Sequence, residues 1–171
     1  MIRTERKHAM TAPNSTPQPA VAARPIGLLF TLAQRLTGVL DAAQPLAALM
    51  ARAYVAQVFF LSGLTKLRDW SITLALFQDE YKVPLLPPEV AAALGTAGEL
   101  ALPVLLVVGL GGRFAALGLS VVNVVAVISL AEIAPAALQQ HITWGVLLAA
   151  LVLYGSGPWS VDTVLAARRR A

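Results

Sequence analysis

Residues 88–109 read PEVAAALGTAGELALPVLLVVG, an apolar run with a carboxylate, Glu99, near its middle and Pro103 four residues later. About 20 apolar residues in a helix cross the ~30 Å hydrocarbon core of a bilayer, and this run is long enough to do so. A carboxylate at that depth is costly unless it meets a cation, a polar cavity or a proton. Pro103 adds to the local polarity, because it has no N–H to offer the carbonyl of Glu99. A side-chain acceptor and a freed backbone acceptor thus share one depth, and the other helices are expected to be arranged around that point.

The 171 residues as a whole are 57% hydrophobic and 13% charged, where a globular domain carries about 25% charged residues. That balance selects a membrane protein, and the length allows one compact domain of a few spans. The chain has no cysteine, which excludes disulfide, thiol-redox, zinc–thiolate and iron–sulfur roles for its own residues. With His8 and His141 as the only histidines, no haem or histidine-rich metal site is expected either. The net charge of +4 comes from basic residues clustered at the two ends. In so apolar a chain they read as topology signals and lipid headgroup contacts, and no basic and aromatic surface motif points to nucleic acid.

Outward from the 88–109 run, the pattern predicts an all-α membrane protein. Residues 1–25, basic and interrupted by Pro13, Pro17 and Pro19, are expected to be a disordered tail. Residues 26–44 are amphipathic at helical spacing. Leu28, Leu29, Leu32, Leu36, Val39 and Leu40 share one face, and Gln34, Thr37, Gly38 and Asp41 the other. That suits a helix lying in the membrane interface, with Pro45 expected to start a new element. Residues 45–165 are expected to form the membrane domain, with spans at 46–64, 88–110, 114–133 and 138–154. Ser160 can cap a short last helix, and 166–171 reads as a basic cytoplasmic tail. Short connections make successive spans antiparallel neighbours, so the expected architecture is an antiparallel four-helix bundle. Five Lys and Arg lie before residue 45, one in the 109–113 turn and three at 168–170, against Lys66, Arg68 and Lys82 on the other side. Both termini are therefore expected in the cytoplasm.

The candidate site gathers polar residues at mid-depth. At 1.5 Å per residue, Glu99, Gln57 and Asn123 lie about 13–16 Å from their span ends, and Arg52 about 9 Å in from the cytoplasmic side. Arg52, Phe59, Gly63 and Lys66 fall along one helical stripe. Glu99 with Arg52 is the leading candidate for a small polar site that binds a quinone headgroup or relays a proton, with Asn123 and Lys66 as further cofactor-binding candidates. The competing reading is a structural ion pair that fixes helix register. Lys66 also reads as a snorkelling helix-end anchor, and His141 either as a solvated interface residue or, with Glu132, as a proton shuttle. Trp70, Trp144 and Trp159 suit an aromatic belt. Gly63 and Gly95 suit close helix packing, within the chain or with another copy.

These residues carry a resemblance. Arg52, Phe59, Phe60, Ser62, Gly63 and Lys66 in the first span are followed by Phe77, Glu80, Tyr81, Val83, Pro84 and Pro87. Glu99, Leu100, Pro103, Leu105, Leu106, Gly109, Leu110 and Arg113 mark the second span, and Gly157, Pro158, Ser160 and Asp162 the close. In combination, over residues 46–165, they resemble the DoxX family of bacterial membrane proteins. The resemblance implies a four-span inner-membrane protein. Family members have been linked to thiosulfate:quinone oxidoreductase complexes and to membrane assemblies that handle oxidative or thiol stress, and many have no assigned activity. It therefore implies a quinone-linked or stress-associated membrane subunit or anchor, with the bilayer and a redox protein as partners and electrons passing through a bound quinone or a partner's cofactor. Two alternatives stay open. One is a small proton-coupled transporter or exporter of a stress metabolite or ion, with Glu99 as its protonatable group, and the other is a structural assembly factor.

Overall fold

The computed structural model describes residues 25–170. Six helices follow in order: α1 (Pro25–Arg68), α2 (Trp70–Asp79), α3 (Pro88–Val108), α4 (Gly112–Ile128), α5 (Pro135–Tyr154) and α6 (Val161–Arg168). No strand occurs among the described residues. The chain divides into two units, 1–39 and 40–171. The expected tail at 1–25 lies outside the described residues, apart from Pro25, which opens α1.

Pro45 does not start a new element: α1 runs through it. Proline inside a helix removes one hydrogen bond, here the one to the carbonyl of Asp41. The flanking turns remain helical, and the Gln44 amide donates to the Asp41 carboxylate at 2.8 Å, stapling the same turn. Residues 26–44 are thus helical as expected but are not a separate helix. Leu29, Leu32, Leu36 and Val39 are all exposed.

Helix α1 stops at Arg68 because Asp69 takes up an extended backbone and caps α2. Its carboxylate accepts from the Ile72 N–H at 3.0 Å and from the Ser71 hydroxyl at 2.7 Å. The Thr73 hydroxyl then donates toward both the Lys66 and the Asp69 carbonyls, tying the end of α1 to α2. Pro88 occupies the first turn of α3, where its missing N–H would be unpaired anyway. The buried face of α3 is Ala91, Ala92, Thr96, Glu99, Pro103 and Leu106. Small residues there let neighbours approach: a Cβ on Gly98 would touch Val122, and one on Gly118 would meet Leu102.

Gly109 and Gly111 turn the chain between α3 and α4 with positive φ of 72° and 57°. No side chain of the turn caps α4. Asp162 does so from α6, accepting from the Gly111 and Gly112 N–H groups at 2.9 and 3.0 Å, while its own N–H donates to the Gly109 carbonyl at 3.0 Å. A carboxylate there also complements the positive end of the helix dipole. Helix α4 ends at Ile128, earlier than the expected 133. The Ser129 hydroxyl returns to the Val125 carbonyl at 2.6 Å, and the Ser129 carbonyl accepts from the Lys82 N–H at 2.8 Å. Pro135 opens α5 rather than merely closing α4. Ser160 caps α6, which takes in Ala166 to Arg168 of the expected tail.

Val55, Phe59, Leu106, Ala115, Ala116, Leu119, Leu148 and Leu151 form one buried apolar core. The outward residues are apolar too: Val104, Leu117, Val121, Val124, Val146 and Leu153 are all more than half exposed. Three helices are long and apolar enough to cross a membrane, Leu29–Arg68, Pro88–Val108 and Pro135–Tyr154, and Gly112–Ile128 is a shorter apolar one.

Gly109→Ala and Gly111→Ala separate backbone strain from crowding. A Cβ on Gly109 would lie 2.5 Å from Arg52 Nη1 and from Ser160 Cβ, whereas one on Gly111 meets nothing. Gly111→Ala is expected to lower stability by about 1–2 kcal/mol, the left-handed backbone term alone, and Gly109→Ala by clearly more, measured by thermal unfolding in detergent micelles. Asp69 gives a pH signature. The Ile72 N–H, then the Ser71 hydroxyl, hold its carboxyl below the usual carboxylate range. A depressed folded value means the stabilisation is present above the unfolded pKa of about 3.9 and is lost as pH falls through the folded one. The advantage of the wild type over Asp69→Asn is therefore expected to vanish on acidification below about pH 4, read as converging unfolding temperatures.

Candidate functional site

Glu99 stands in the middle of the buried face of α3, and its partner is Lys66. The Lys66 Nζ donates to Glu99 Oε2 at 2.7 Å, to Oε1 at 2.9 Å and to Ser62 Oγ at 2.9 Å. Those three bonds use every ammonium hydrogen. The side chains are 21% and 10% exposed for Lys66 and Glu99, so this is a nearly enclosed pair. Gly63 makes it reachable. A Cβ there would sit 2.8 Å from Leu100 Cγ and 3.1 Å from Glu99 Cβ; only glycine lets α1 approach α3 this closely.

The pair borders a cavity of about 390 Å³. Its walls are mostly apolar, with Phe59, Leu94, Val122 and Val125 among them, and its polar edges are Ser62, Lys66, Tyr81, Glu99, Ser129 and His141. Tyr81 lies in the α2–α3 connection, packed edge-on against Phe77 with ring centroids 5.1 Å apart. Burial, with smaller contributions from the Glu80 and Glu99 charges, raises the Tyr81 phenol above its ordinary pKa, so it enters the cavity wall as a neutral O–H.

His141 and Asn123 form a second polar pair. The Asn123 Nδ2 donates to the His141 carbonyl at 3.0 Å, and Asn123 Oδ1 faces His141 Nδ1 at 2.8 Å. A carbonyl can only accept, so the amide orientation is assigned by this network. Oδ1 then requires a proton on Nδ1, and in the neutral ring Nε2 is left as a lone-pair acceptor. Trp144 packs edge-on against both the His141 ring and Phe59, with centroids 4.9 and 5.9 Å apart.

Arg52 is not part of this arrangement. It is fully buried, its Nη2 donates to the Trp159 carbonyl at 2.6 Å, and it lies against Gly109 at the end of α3. Its Nε and Nη1 have no hydrogen-bond partner among the described residues. The carbonyl end of α3 carries partial negative charge that offsets a buried cation. The expected pairing of Arg52 with Glu99 is therefore replaced by two separate contacts. The reason is register: Gly63 meets Leu100, so Lys66 falls beside Glu99 while Arg52, fourteen residues earlier on the same stripe, reaches Gly109. Lys66 turns inward to Glu99 instead of snorkelling outward. Glu132 is exposed in the α4–α5 connection and His141 bonds Asn123 instead. Gln57 is exposed. No group of three or more His, Asp or Glu side chains that could hold a metal occurs among the described residues.

Apolar helices of spanning length, lipid-facing apolar side chains and an enclosed ion pair define an integral membrane protein, whose surroundings are a lipid bilayer. The DoxX family model matches residues 47–132, half of the chain, and the chain belongs to that family. No curated protein and no solved structure gives a significant match.

The pair is expected to behave as a unit. Lys66→Met leaves an unpaired carboxylate among apolar side chains and should lower stability by about 3 kcal/mol, whereas Lys66→Met with Glu99→Leu should recover most of it. Thermal unfolding of both variants in micelles checks this. Equal losses in the single and double variants would remove the pair from its central place.

Proposed function

We propose that this chain is a quinone-binding subunit or anchor of a membrane redox system. The observation that carries this reading is the 390 Å³ cavity bordered by the Lys66–Glu99 pair. Pockets for small molecules fall at about 300–1,000 Å³, mostly apolar with a few convergent polar groups. A quinone ring needs such a slot, with hydrogen-bond donors at its carbonyl oxygens. Ser62 accepts from Lys66 through its oxygen, which leaves its own hydrogen for the cavity, and the Tyr81 hydroxyl is a second donor. The membership of the DoxX family is in keeping with this reading, since some members are associated with quinone-dependent oxidoreductases.

The architecture within this proposal is an antiparallel four-helix bundle in the bacterial inner membrane, with residues 26–44 at the membrane interface and both termini in the cytoplasm. Contacts that run in opposite directions along consecutive helices support it: Gly98 with Val122 and Gly118 with Leu102, then Gly112 with Ser156 and Asn123 with His141. The distribution of Lys and Arg supports the orientation.

The test is a lipid extract of the purified protein, wild type and Glu99→Gln, assayed for quinone against a detergent blank. The variant must first be shown to elute as a folded protein. Quinone above the blank in the wild type and several-fold less in the variant is the expected result. None above the blank in either protein overturns the quinone reading.

A further inference from the structure

The two polar edges of the cavity differ in kind. Around Glu99 lie groups that donate and groups that accept: the Ser62 and Tyr81 hydroxyls and the carboxylate itself. His141 is more restricted. His141 forms part of the wall, its Nδ1 is held by Asn123, and its Nε2 has no partner among the described residues, leaving in the neutral ring an acceptor that cannot donate. We infer that the cavity selects the reduced, hydroxyl-bearing form of a quinoid ring over the oxidised, carbonyl-bearing form. His141 is the acceptor that makes the choice and Asn123 the residue that positions it. This rests on the quinone-binding reading of the same cavity.

A quinone presents only acceptors. It can satisfy Ser62 or Tyr81, but a carbonyl oxygen brought to His141 sets lone pair against lone pair among mostly apolar walls, where an unmatched polar group is expensive. A hydroquinone presents two hydroxyls, each donor and acceptor. One donates to His141 Nε2, and the other either donates to Glu99 or accepts from Ser62. The Lys66 ammonium does not compete, since all its hydrogens are engaged. Asn123 contributes without touching the ligand: its Oδ1 keeps the proton on Nδ1, so the acceptor face of the ring is turned away from α4. Without Asn123 the ring can carry its proton on either nitrogen, and the discrimination weakens.

The experiment uses the full chain in detergent micelles at about pH 8, above the ordinary histidine range so that the ring is neutral. It is dialysed to equilibrium under argon against decylubiquinol, and separately against decylubiquinone, with empty micelles as the blank. The wild type is expected to bind the quinol about tenfold more tightly, the worth of one hydrogen bond made to an otherwise unsatisfied acceptor. His141→Phe should weaken quinol binding by about the same factor while changing quinone affinity less than about threefold. Asn123→Ala should fall between and serves as the second variant if His141→Phe does not elute as a folded protein. Equal affinities for the two forms in the wild type, or a quinol preference that survives in the folded variants, overturn the inference while leaving quinone binding in place. No binding of either form above the blank overturns both.

Discussion

Glu99 is an ionisable group in the middle of a helix long and apolar enough to cross a membrane, and the structure is arranged so that its side chain is buried against a cation. Meeting that constraint takes a cation, a close approach and a bend in the chain. Lys66 supplies the first, Gly63 the second, and the break at Asp69 the third. The Thr73 hydroxyl, by donating to the Lys66 carbonyl, couples the backbone carrying the ammonium to the start of α2. The pair is thus held from both sides of the turn. Buried ion pairs are often no more stabilising than well-packed apolar substitutes; what this one adds that an apolar pair would not is a polar edge on an otherwise apolar cavity.

The end of α3 is fastened by different means. Arg52, Gly109, Asp162 and Ser160 join α1, the α3–α4 turn and α6 through backbone groups: Arg52 to the Trp159 carbonyl, Asp162 to the Gly111 and Gly112 N–H groups. Arg52 and Asp162 both bond main-chain groups there, whereas among the described residues of α1 the cavity is bordered by Val58, Phe59, Ser62 and Lys66. Two cations on one stripe of one helix therefore do unlike work. Arg52 has a rigid fork suited to carbonyls and closes the fold; Lys66 has a compact head suited to a carboxylate and shapes the site.

Much of this was legible in the sequence. The helical content, the cap at Ser160 and the centrality of Glu99 all follow from spacing and the cost of a charge in hydrocarbon. The partner of Glu99 was not, because Arg52 and Lys66 share a stripe and only the vertical register decides which one it meets. That register depends on Gly63 nesting over Leu100, a contact with no sequence signature of its own beyond the glycine. Pro45 misled in the ordinary way: proline marks a helix start more often than it sits within one, but a single missing donor is tolerated where the turn is otherwise stapled. Asn123 and His141 were each visible as lone polar residues, and nothing in their spacing showed that they would bond to each other across α4 and α5.

The saturation of Lys66 bears on what the cavity can accept. An ammonium with a free hydrogen would draw anions into the membrane, and a bare carboxylate would draw cations. Here the carboxylate takes two of the three hydrogens and Ser62 the third, so the charges are matched within the protein before any ligand arrives. What remains at the cavity's edge is the Ser62, Tyr81 and Ser129 hydroxyls and the His141 imidazole, with the carboxylate's unused lone pairs. A net charge entering such a cavity would be desolvated without a counter-ion. Closing the ion pair on itself thus leaves the cavity's edge without a free ammonium hydrogen.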